Sequence, residues 1–196
     1  LGRYAEAGPL YSRALAINEE TFGPDHIRVA LGLNNLGGYY KLLGRYAEAE
    51  AAFRRSLMIR EVVLDPDHPD IALALSNLAS IYVDLDREIE AEPLYQRALA
   101  IREAALGPDH PDVGQSLNNL GTLYSDSDRH AEAEPLLQRA LANYEVAFGP
   151  DHPDVALVLN NLAGTYFELG RYEEAELLID QSVSILDNTS VGKKSR

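Results

Sequence analysis

The sequence contains no cysteine and no long apolar segment, and each absence excludes a class of protein. Without cysteine the chain has no disulfide, no thiolate metal ligand and no cysteine nucleophile. This composition fits a reducing compartment, so we expect a cytoplasmic protein. No run approaches the roughly 18 apolar residues that a membrane-spanning helix requires. We therefore expect no such helix, and no signal peptide is recognisable.

Positive charge is also scarce. The chain has 17 Lys and Arg residues against 31 Asp and Glu residues, which gives a formal net charge of −14. Phosphate backbones and anionic membranes repel so acidic a surface, so we expect neither nucleic acid nor a membrane as partner. The content of 46% hydrophobic and 24% charged residues is ordinary for a folded soluble chain. The 196 residues suffice for one or two compact domains or one extended array.

What the sequence does contain is an internal repeat of 42 residues. The positions that recur at this interval include His26, His68, His110 and His152, and Asn35, Asn77, Asn119 and Asn161. We divide the array into a leading half unit at 1–22 and four units at 23–64, 65–106, 107–148 and 149–186. Residues 187–196 form a polar tail that we expect to be disordered. Because the chain opens inside a unit and without methionine, we expect it to be part of a longer protein.

Each unit contains two helical patterns. In the segment 69–85, Leu75, Leu78 and Tyr82 recur at spacings of three and four, which places them on one face of a helix. The segment 88–106 has a broader apolar stripe at the same kind of spacing. No stretch alternates with the period of two that a strand needs, which excludes a propeller blade of similar length. HEAT and armadillo repeats have similar lengths, so individual residues must decide between these repeat types.

Those residues resemble the tetratricopeptide repeat, which places a large residue, Leu, a small residue and Tyr along its first helix. The second helix of that repeat then carries Ala, a large residue and a small residue. The matching positions are Leu33, Leu36, Gly37, Tyr40, Ala49, Phe53 and Ser56; Leu75, Leu78, Ala79, Tyr82, Ala91, Tyr95 and Ala98; Leu117, Leu120, Gly121, Tyr124, Ala133, Leu137 and Ala140; and Leu159, Leu162, Ala163, Tyr166, Ala175, Ile179 and Ser182.

The 42-residue length and the motifs ALxIRE, LGPDHPDV, LNNLA and GRYxEAE resemble the repeats of kinesin light chains and similar prokaryotic proteins. The resemblance extends to about Leu186. It implies an all-α, right-handed superhelical solenoid of antiparallel helix pairs, whose first helices line a concave groove. No segment resembles the coiled coil by which a kinesin light chain holds its heavy chain.

The loops between units predict how the first helices begin and end. Asp151 precedes such a helix, and aspartate is a good N-cap. Pro153 suits the first turn, where its missing N–H costs nothing. We therefore expect aspartate caps at Asp67, Asp109 and Asp151, and a weaker cap in the first unit, where Ile27 and Arg28 replace the proline and the second aspartate. Gly44 and Gly170 follow first helices and predict left-handed turns, and Asp86 and Asp128 take the same place in two units.

The recurrent histidines could indicate a metal site or a catalytic group. A metal site would need them to converge, but stacked helices lie about 8–10 Å apart and would place them in a row. A catalytic triad would need a serine at a repeating offset from each histidine, and none is present. We therefore interpret the histidines as loop and cap residues, and we expect no metal, no cofactor and no enzymatic activity.

The recurrent asparagines sit in the middle of predicted first helices, where asparagine is not a favoured residue. By the resemblance, they line the groove together with neighbouring small polar residues. An amide offers both a donor and an acceptor, which matches the backbone of an extended peptide. The candidate peptide-binding residues are Asn34, Asn35, Ser76, Asn77, Ser80, Asn118, Asn119, Thr122, Asn160 and Asn161. The same pattern is compatible with hydrogen bonds from the asparagine side chains to neighbouring helices. It is also compatible with duplication of the repeat, which would copy the asparagines without any function.

The charges near the predicted groove bear on the kind of partner. Kinesin light chains use basic groove residues to bind acidic peptides, whereas here Lys41 is the one cation near the candidate residues. Asp84, Asp126 and Glu168 instead form an acidic row near the ends of three first helices. This row is either a solvated edge or a groove rim that prefers neutral or basic segments.

The leading hypothesis is therefore a protein–protein interaction scaffold that binds a peptide segment or helix of a partner in its groove. The alternative is a purely architectural or self-associating spacer, and we expect exposed apolar ends of the array to promote end-to-end association. Enzymatic function ranks below both, because the chemically able residues follow the repeat. A catalytic site would be expected to break that register at one place.

Overall fold

The computed structural model describes residues 4–194 of the chain, and the side chains of residues 7–188. All the regular secondary structure over this range is α-helical. The helices are α1 (Tyr4–Phe22), α2 (Ile27–Leu42), α3 (Tyr46–Val63), α4 (Pro69–Asp84), α5 (Glu88–Leu106), α6 (Pro111–Asp126), α7 (His130–Phe148), α8 (Pro153–Glu168) and α9 (Tyr172–Lys194). No helix in the described range is long and apolar enough to cross a membrane.

The chain forms two compact units, the first ending at Ile101 and the second beginning at Arg102, so the division falls inside α5. Below, the first and second unit are these two parts of the chain, and the 42-residue segments are called repeats. In the first unit, α2 packs on α1 and α3, and α3 also packs on α4. In the second unit, α7 packs on α6 and α8, and α8 packs on α9. Turns of three residues join α2 to α3 and α6 to α7, which makes each of these pairs antiparallel.

Small residues allow the paired helices to approach closely, as the repeat pattern predicts. A Cβ atom at Gly37 would lie 2.8 Å from the ring of Phe53 on the facing helix. Alanine occupies the corresponding positions in two other repeats, where Ala79 and Ala163 are buried. These helix pairs are therefore held by side chains that fill the space left by a small residue.

The N-caps of the first helices are histidines, which agrees with the interpretation of these residues as loop and cap residues, whereas the expectation of aspartate caps is wrong. In each case Nδ1 of the ring accepts a hydrogen bond from the backbone N–H two residues later; the pairs are His26 with Arg28, His68 with Asp70, His110 with Asp112, and His152 with Asp154, at 3.1–3.2 Å. Each capping residue has an extended backbone, as an N-cap requires. The preceding aspartate lies one residue too early to reach these N–H groups.

The turns after the first helices follow the sequence prediction. Gly44 and Gly170 have φ angles of 69° and 76°, and Asp86 and Asp128 have φ angles of 55° and 58°. Helix α9 continues to Lys194 and so overlaps the segment 187–196 that we expect to be a disordered tail, and that expectation stays a prediction. That segment contains no proline to end the helix.

Buried arginines connect successive repeats. Arg60 is 2% exposed, and its Nη1 donates to the backbone carbonyl of Asp70 at 2.9 Å. In the second unit, Nη1 of Arg102 donates to the carbonyl of Asp112 at 3.1 Å and to Ser116 Oγ at 2.8 Å. Burial lowers the pKa of both guanidinium groups. The third repeat has Tyr144 at this position, and burial raises its pKa to about 12.

Candidate functional site

In the first unit the candidate asparagines meet across neighbouring helices. Asn34 lies on α2 and Asn77 on α4, and Nδ2 of Asn77 donates to Oδ1 of Asn34 at 2.7 Å. Ser80 lies one turn after Asn77, and its hydroxyl donates to the carbonyl oxygen of Asn77 at 2.8 Å. Asn34 and Asn77 therefore form a hydrogen bond between side-chain amides of neighbouring helices, which is one of the alternatives that the sequence pattern allowed.

These residues line a cavity of about 480 Å³ in the first unit. Its polar lining comes from α2 and α4, whereas Ala7 and Tyr11 of α1 and Phe53 of α3 contribute apolar groups. The lining consists of Ala7, Tyr11, Asn34, Asn35, Gly38, Tyr39, Lys41, Leu42, Phe53, Asn77 and Ser80. The rings of Tyr11 and Tyr39 are 5.8 Å apart between centroids and tilted by 48°. The cavity therefore combines an amide floor with an aromatic wall.

Lys41, the cation in the lining of this cavity, forms an ion pair with Asp84 of the predicted acidic rim. Lys41 Nζ lies 2.9 Å from the Oδ2 atom of Asp84 and donates to Ser80 Oγ at 3.0 Å. The side chains of Lys41 and Asp84 are 35% and 29% exposed, so the pair is partly screened by solvent. Asp84 is thus one half of an ion pair that neutralises the lysine beside the amide floor.

The second unit has an amide pair of the same kind. Nδ2 of Asn161 on α8 donates to Oδ1 of Asn118 on α6 at 2.9 Å, and also lies 3.3 Å from Thr122 Oγ1. A second polar contact follows, in which the hydroxyls of Ser125 and Thr165 are 3.1 Å apart. The bonded amides of both units are 43 residues apart, one residue more than the repeat period.

The other candidate residues differ in their accessibility. Asn35 and Asn160 are exposed, and Asn119 is half-buried. Ser76 is only 7% exposed, and its buried hydroxyl has no hydrogen-bond partner among residues 7–188. Asn118 is 9% exposed. Ser76 and Asn118 therefore lie below the surface that a ligand would touch.

The remaining acidic rim residues, Asp126 and Glu168, are exposed near the ends of α6 and α8 in the second unit. Asp84 belongs to the first unit and the other two acids to the second. The single acidic row therefore stays a prediction from the sequence positions.

Sequence reasoning missed the aromatic wall of the first-unit cavity. Tyr11 belongs to the leading half unit, and Tyr39 stands where other repeats have Ile81, Leu123 and Thr165. The available signal was this departure from the repeat, because an aromatic residue replaces aliphatic or small ones at one position. Departures from the register are therefore informative in this chain.

Known proteins support the family resemblance. A family model described as tetratricopeptide repeat matches residues 1–61, 28–104, 70–145 and 126–188. The structure of BtubC (BKLC) from P. vanneervenii is similar, with a TM-score of 0.85 and 26% identity over 96% of this chain and 75% of that one. A Podosopora anserina protein assigned as a kinesin light chain with nearly identical repeats gives a TM-score of 0.79 and 26% identity, over 96% and 89% of the two chains.

A more distant likeness extends only to the fold. MamA has a TM-score of 0.64 and 18% identity over 96% of this chain and 92% of that one. No curated protein matches the chain. Together with the helical structure, these matches confirm the expected fold class as an all-α repeat solenoid and confirm the likeness to kinesin light chain-type repeats.

Proposed function

This chain belongs to the tetratricopeptide repeat family, and we propose that it binds a peptide segment of a partner protein in the cavity of its first unit. Repeats of this family generally mediate protein–protein interaction. The observation that carries the proposal is the bonded pair of Asn34 and Asn77 on the floor of an aromatic-walled cavity. The amide pair, the aromatic side chains and the Lys41–Asp84 ion pair of this cavity contribute differently to recognition of the segment.

The amide pair suits a peptide backbone. Because Asn77 Nδ2 donates to Asn34 Oδ1, the bond fixes both side chains and leaves Asn34 Nδ2 as a donor and Asn77 Oδ1 as an acceptor. A backbone amide that leaves water needs one partner of each kind. Asn35 adds an exposed amide to the same lining. The pair therefore offers sequence-independent contacts to an extended segment.

The aromatic wall supplies selectivity for a side chain. Tyr11, Tyr39 and Phe53 line the same cavity as the amides, and its volume of about 480 Å³ falls in the range of pockets that enclose small ligands, roughly 300–1,000 Å³. An apolar side chain of the partner would bury its surface there, at about 25 cal/mol per Å². The partner segment thus carries an apolar anchor.

The charge of the partner segment follows from the Lys41–Asp84 ion pair. Because the ammonium group already has a carboxylate at 2.9 Å, an acidic ligand gains little from Lys41 and meets Asp84 as well. The chain also carries a formal net charge of −14, which favours the approach of neutral or basic segments. We therefore assign the segment as neutral or basic around its anchor.

Peptide display tests this function directly. The parent protein is selected beside the Asn35→Ala/Asn77→Ala variant, and Gln96→Ala serves as the matched control because it removes an exposed amide of α5 outside the cavity. We expect the parent and the control to enrich one motif, and the affinity of the double variant for that motif to fall by about tenfold or more.

The fold of each protein is checked by circular dichroism, because Asn77→Ala also removes a hydrogen bond worth about 1 kcal/mol. Asn35→Ala alone separates the two effects, since Asn35 is an exposed residue of the cavity lining and is not part of the Asn34–Asn77 hydrogen bond. If the parent enriches no motif, or if both variants keep the motif with unchanged affinity, the amide floor is structural and the proposal is wrong.

A second candidate function is self-association through α9. Ile179, Val183 and Leu186 recur along one face of this helix and are 45%, 50% and 48% exposed. Leu137 and Tyr144, which correspond to Ile179 and Leu186 in the preceding repeat, are buried. This face supports an architectural role in which copies of the chain associate through an apolar helix surface.

Light scattering over a concentration series tests this association. We expect the mean mass of the parent protein to rise with concentration, and Val183→Glu to abolish the rise because it places a charge in the contact. Val62→Glu on α3 is the matched control, since Val62 is 82% exposed and lies on another helix. A parent protein that remains monomeric throughout excludes this role.

A further inference from the structure

Two glycines inside helices are not explained by the packing of the chain, and one of them lines the first-unit cavity. Glycine is one of the least favourable residues in a helix interior, because its backbone loses more freedom on folding than that of any other residue. A glycine in such a place therefore calls for a packing or a functional explanation. The structure separates the two explanations, because it shows what a larger residue would contact.

Packing explains most of the helical glycines in the range 7–188. A Cβ atom at these positions would lie 2.6–3.2 Å from a side chain of another element; they are Gly8, Gly32, Gly37, Gly114 and Gly121. At Gly38 and Gly164, by contrast, a Cβ atom would meet nothing within 4 Å among the described residues. No neighbouring helix therefore requires a glycine at these two positions.

Gly38 lies at the centre of the α2 surface that faces the first-unit cavity. Asn34 and Asn35 lie one turn before it, Lys41 and Leu42 lie one turn after it, and all of these residues line the cavity. One turn of a helix rises by about 5.4 Å. The amide floor and the ion pair of the lysine are therefore on opposite sides of Gly38, and a segment that contacts both passes over this residue.

The next first helix carries a side chain at the equivalent position. Ser80 of α4 corresponds to Gly38, and its hydroxyl accepts from Lys41 Nζ at 3.0 Å and donates to the carbonyl oxygen of Asn77 at 2.8 Å. The hydroxyl of Ser80 is thus used within the protein. At Gly38 the same repeat position has no side chain, so the backbone of α2 itself bounds the cavity there.

We propose that the main chain of the bound segment lies directly on the α2 backbone at Gly38. The inference rests on the proposed function, because it assigns the part of the segment that contacts this residue. Glycine permits close approach of a ligand to the backbone, since it has no Cβ atom that would hold the ligand away. Asn34, one turn away, and Asn77, bonded to it, are then available to the N–H and C=O groups of the segment.

This contact selects the conformation of the partner segment. In a helix the backbone N–H and C=O groups are bonded to each other, so a helical partner could not use the donor and the acceptor that the Asn34–Asn77 pair leaves open. An extended segment keeps these groups free and directs successive side chains to opposite faces. One face then points to the aromatic side chains of the cavity. The partner is therefore an extended segment, and an amphipathic helix is the alternative that the experiment must exclude.

The test compares Gly38→Ala with Gly164→Ala in a binding and a stability measurement. The probe is the labelled peptide that the parent protein enriches in display, and its affinity is measured by fluorescence anisotropy. Gly38→Ala adds one methyl group to the cavity and is expected to lower the affinity about tenfold or more. Its urea midpoint is expected to rise, because alanine is the better helix former.

Gly164→Ala is the matched control, because it makes the same change at the equivalent position of α8 in the second unit. We expect it to raise the urea midpoint in the same way and to leave the affinity unchanged. Opposite changes of stability and affinity in Gly38→Ala alone would separate a ligand contact from damage to the fold.

The outcomes distinguish this inference from the proposed function. A parent protein that enriches no motif overturns both. A parent protein that binds its motif, together with a Gly38→Ala variant that binds it as tightly, overturns this inference alone. The main-chain contact is also overturned if truncating one peptide side chain to alanine restores the affinity of Gly38→Ala to that of the parent, since a side chain would then lie over the glycine. Helical carbon-α chemical shifts of an isotope-labelled peptide in the complex would likewise overturn it.

Discussion

Replacing Asp84 with asparagine is expected to raise the affinity of the first-unit cavity for acidic peptides by about tenfold. Lys41 Nζ lies 2.9 Å from the Asp84 carboxylate, so a ligand carboxylate must displace that partner before it can use the lysine. Asparagine has no charge and releases the ammonium group. A hydrogen bond to a charged group contributes about 1.5–3 kcal/mol, and 1.4 kcal/mol corresponds to a factor of ten.

The measurement is fluorescence anisotropy with two peptides. One is a peptide enriched on the parent protein, and the other carries Glu in place of one residue beside its apolar anchor. Asp86→Asn is the matched control, because it makes the same change of net charge two residues away. Asn tolerates the left-handed backbone that Asp86 adopts, with φ at 55°.

We expect the acidic peptide to gain affinity with Asp84→Asn and to change little with Asp86→Asn. An equal gain in both variants would assign the effect to the overall charge of the protein. No gain in either would mean that Lys41 does not reach the ligand, and the assignment of neutral or basic partners would then lose its structural basis.

Replacing Leu159 with alanine is expected to lower the free energy of unfolding by about 3 kcal/mol. Leu159 lies on α8 and is 0% exposed, so truncation removes buried apolar contacts and leaves a cavity between packed helices. The measurement is urea unfolding followed by circular dichroism, with the denaturation midpoint compared between variant and parent.

Leu157→Ala is a closely matched control for Leu159→Ala. Leu157 lies two residues earlier on the same helix, carries the same side chain and is 54% exposed. Its replacement is expected to change the free energy of unfolding by no more than about 0.5 kcal/mol. Equal destabilisation by the two substitutions would mean that α8 presents a different face to its neighbours.

The repeat period made most of the fold predictable. Positions such as Gly37 and Tyr166 recur in register, so their roles in helix pairing follow from copies of the same pattern. The left-handed turns were predictable for the same reason, since glycine and aspartate occupy one position of each repeat. A fold built from copies allows each prediction to be checked several times within one sequence.

The candidate site was less predictable, because its contacts join residues of different repeats. The period aligns Asn35 with Asn77, but Asn77 bonds to Asn34, because the contacting positions are offset by 43 residues. The Lys41–Asp84 ion pair likewise joins two repeats. Periodicity identifies equivalent positions in different repeats. These contacts depend instead on how neighbouring helices are staggered, and the sequence of a single repeat does not show that stagger.

The sequence offered two adjacent kinds of capping residue, the aspartates and the histidines, and the structure selects the histidines. Asp109 and His110 are adjacent, and aspartate is by far the commoner N-cap, so propensity favoured Asp109. Pro111 sits at the first helical position, and the residue directly before it must therefore be the cap. The position of proline was a better guide than capping propensity.

The histidine caps fix the orientation of one ring at the starts of α2, α4, α6 and α8. In each ring Nδ1 accepts from the helix backbone, so the ring proton lies on Nε2. A lost N-cap costs about 1 kcal/mol. Because the same contact is made once in every repeat, the stability that it contributes grows with the number of repeats in the array.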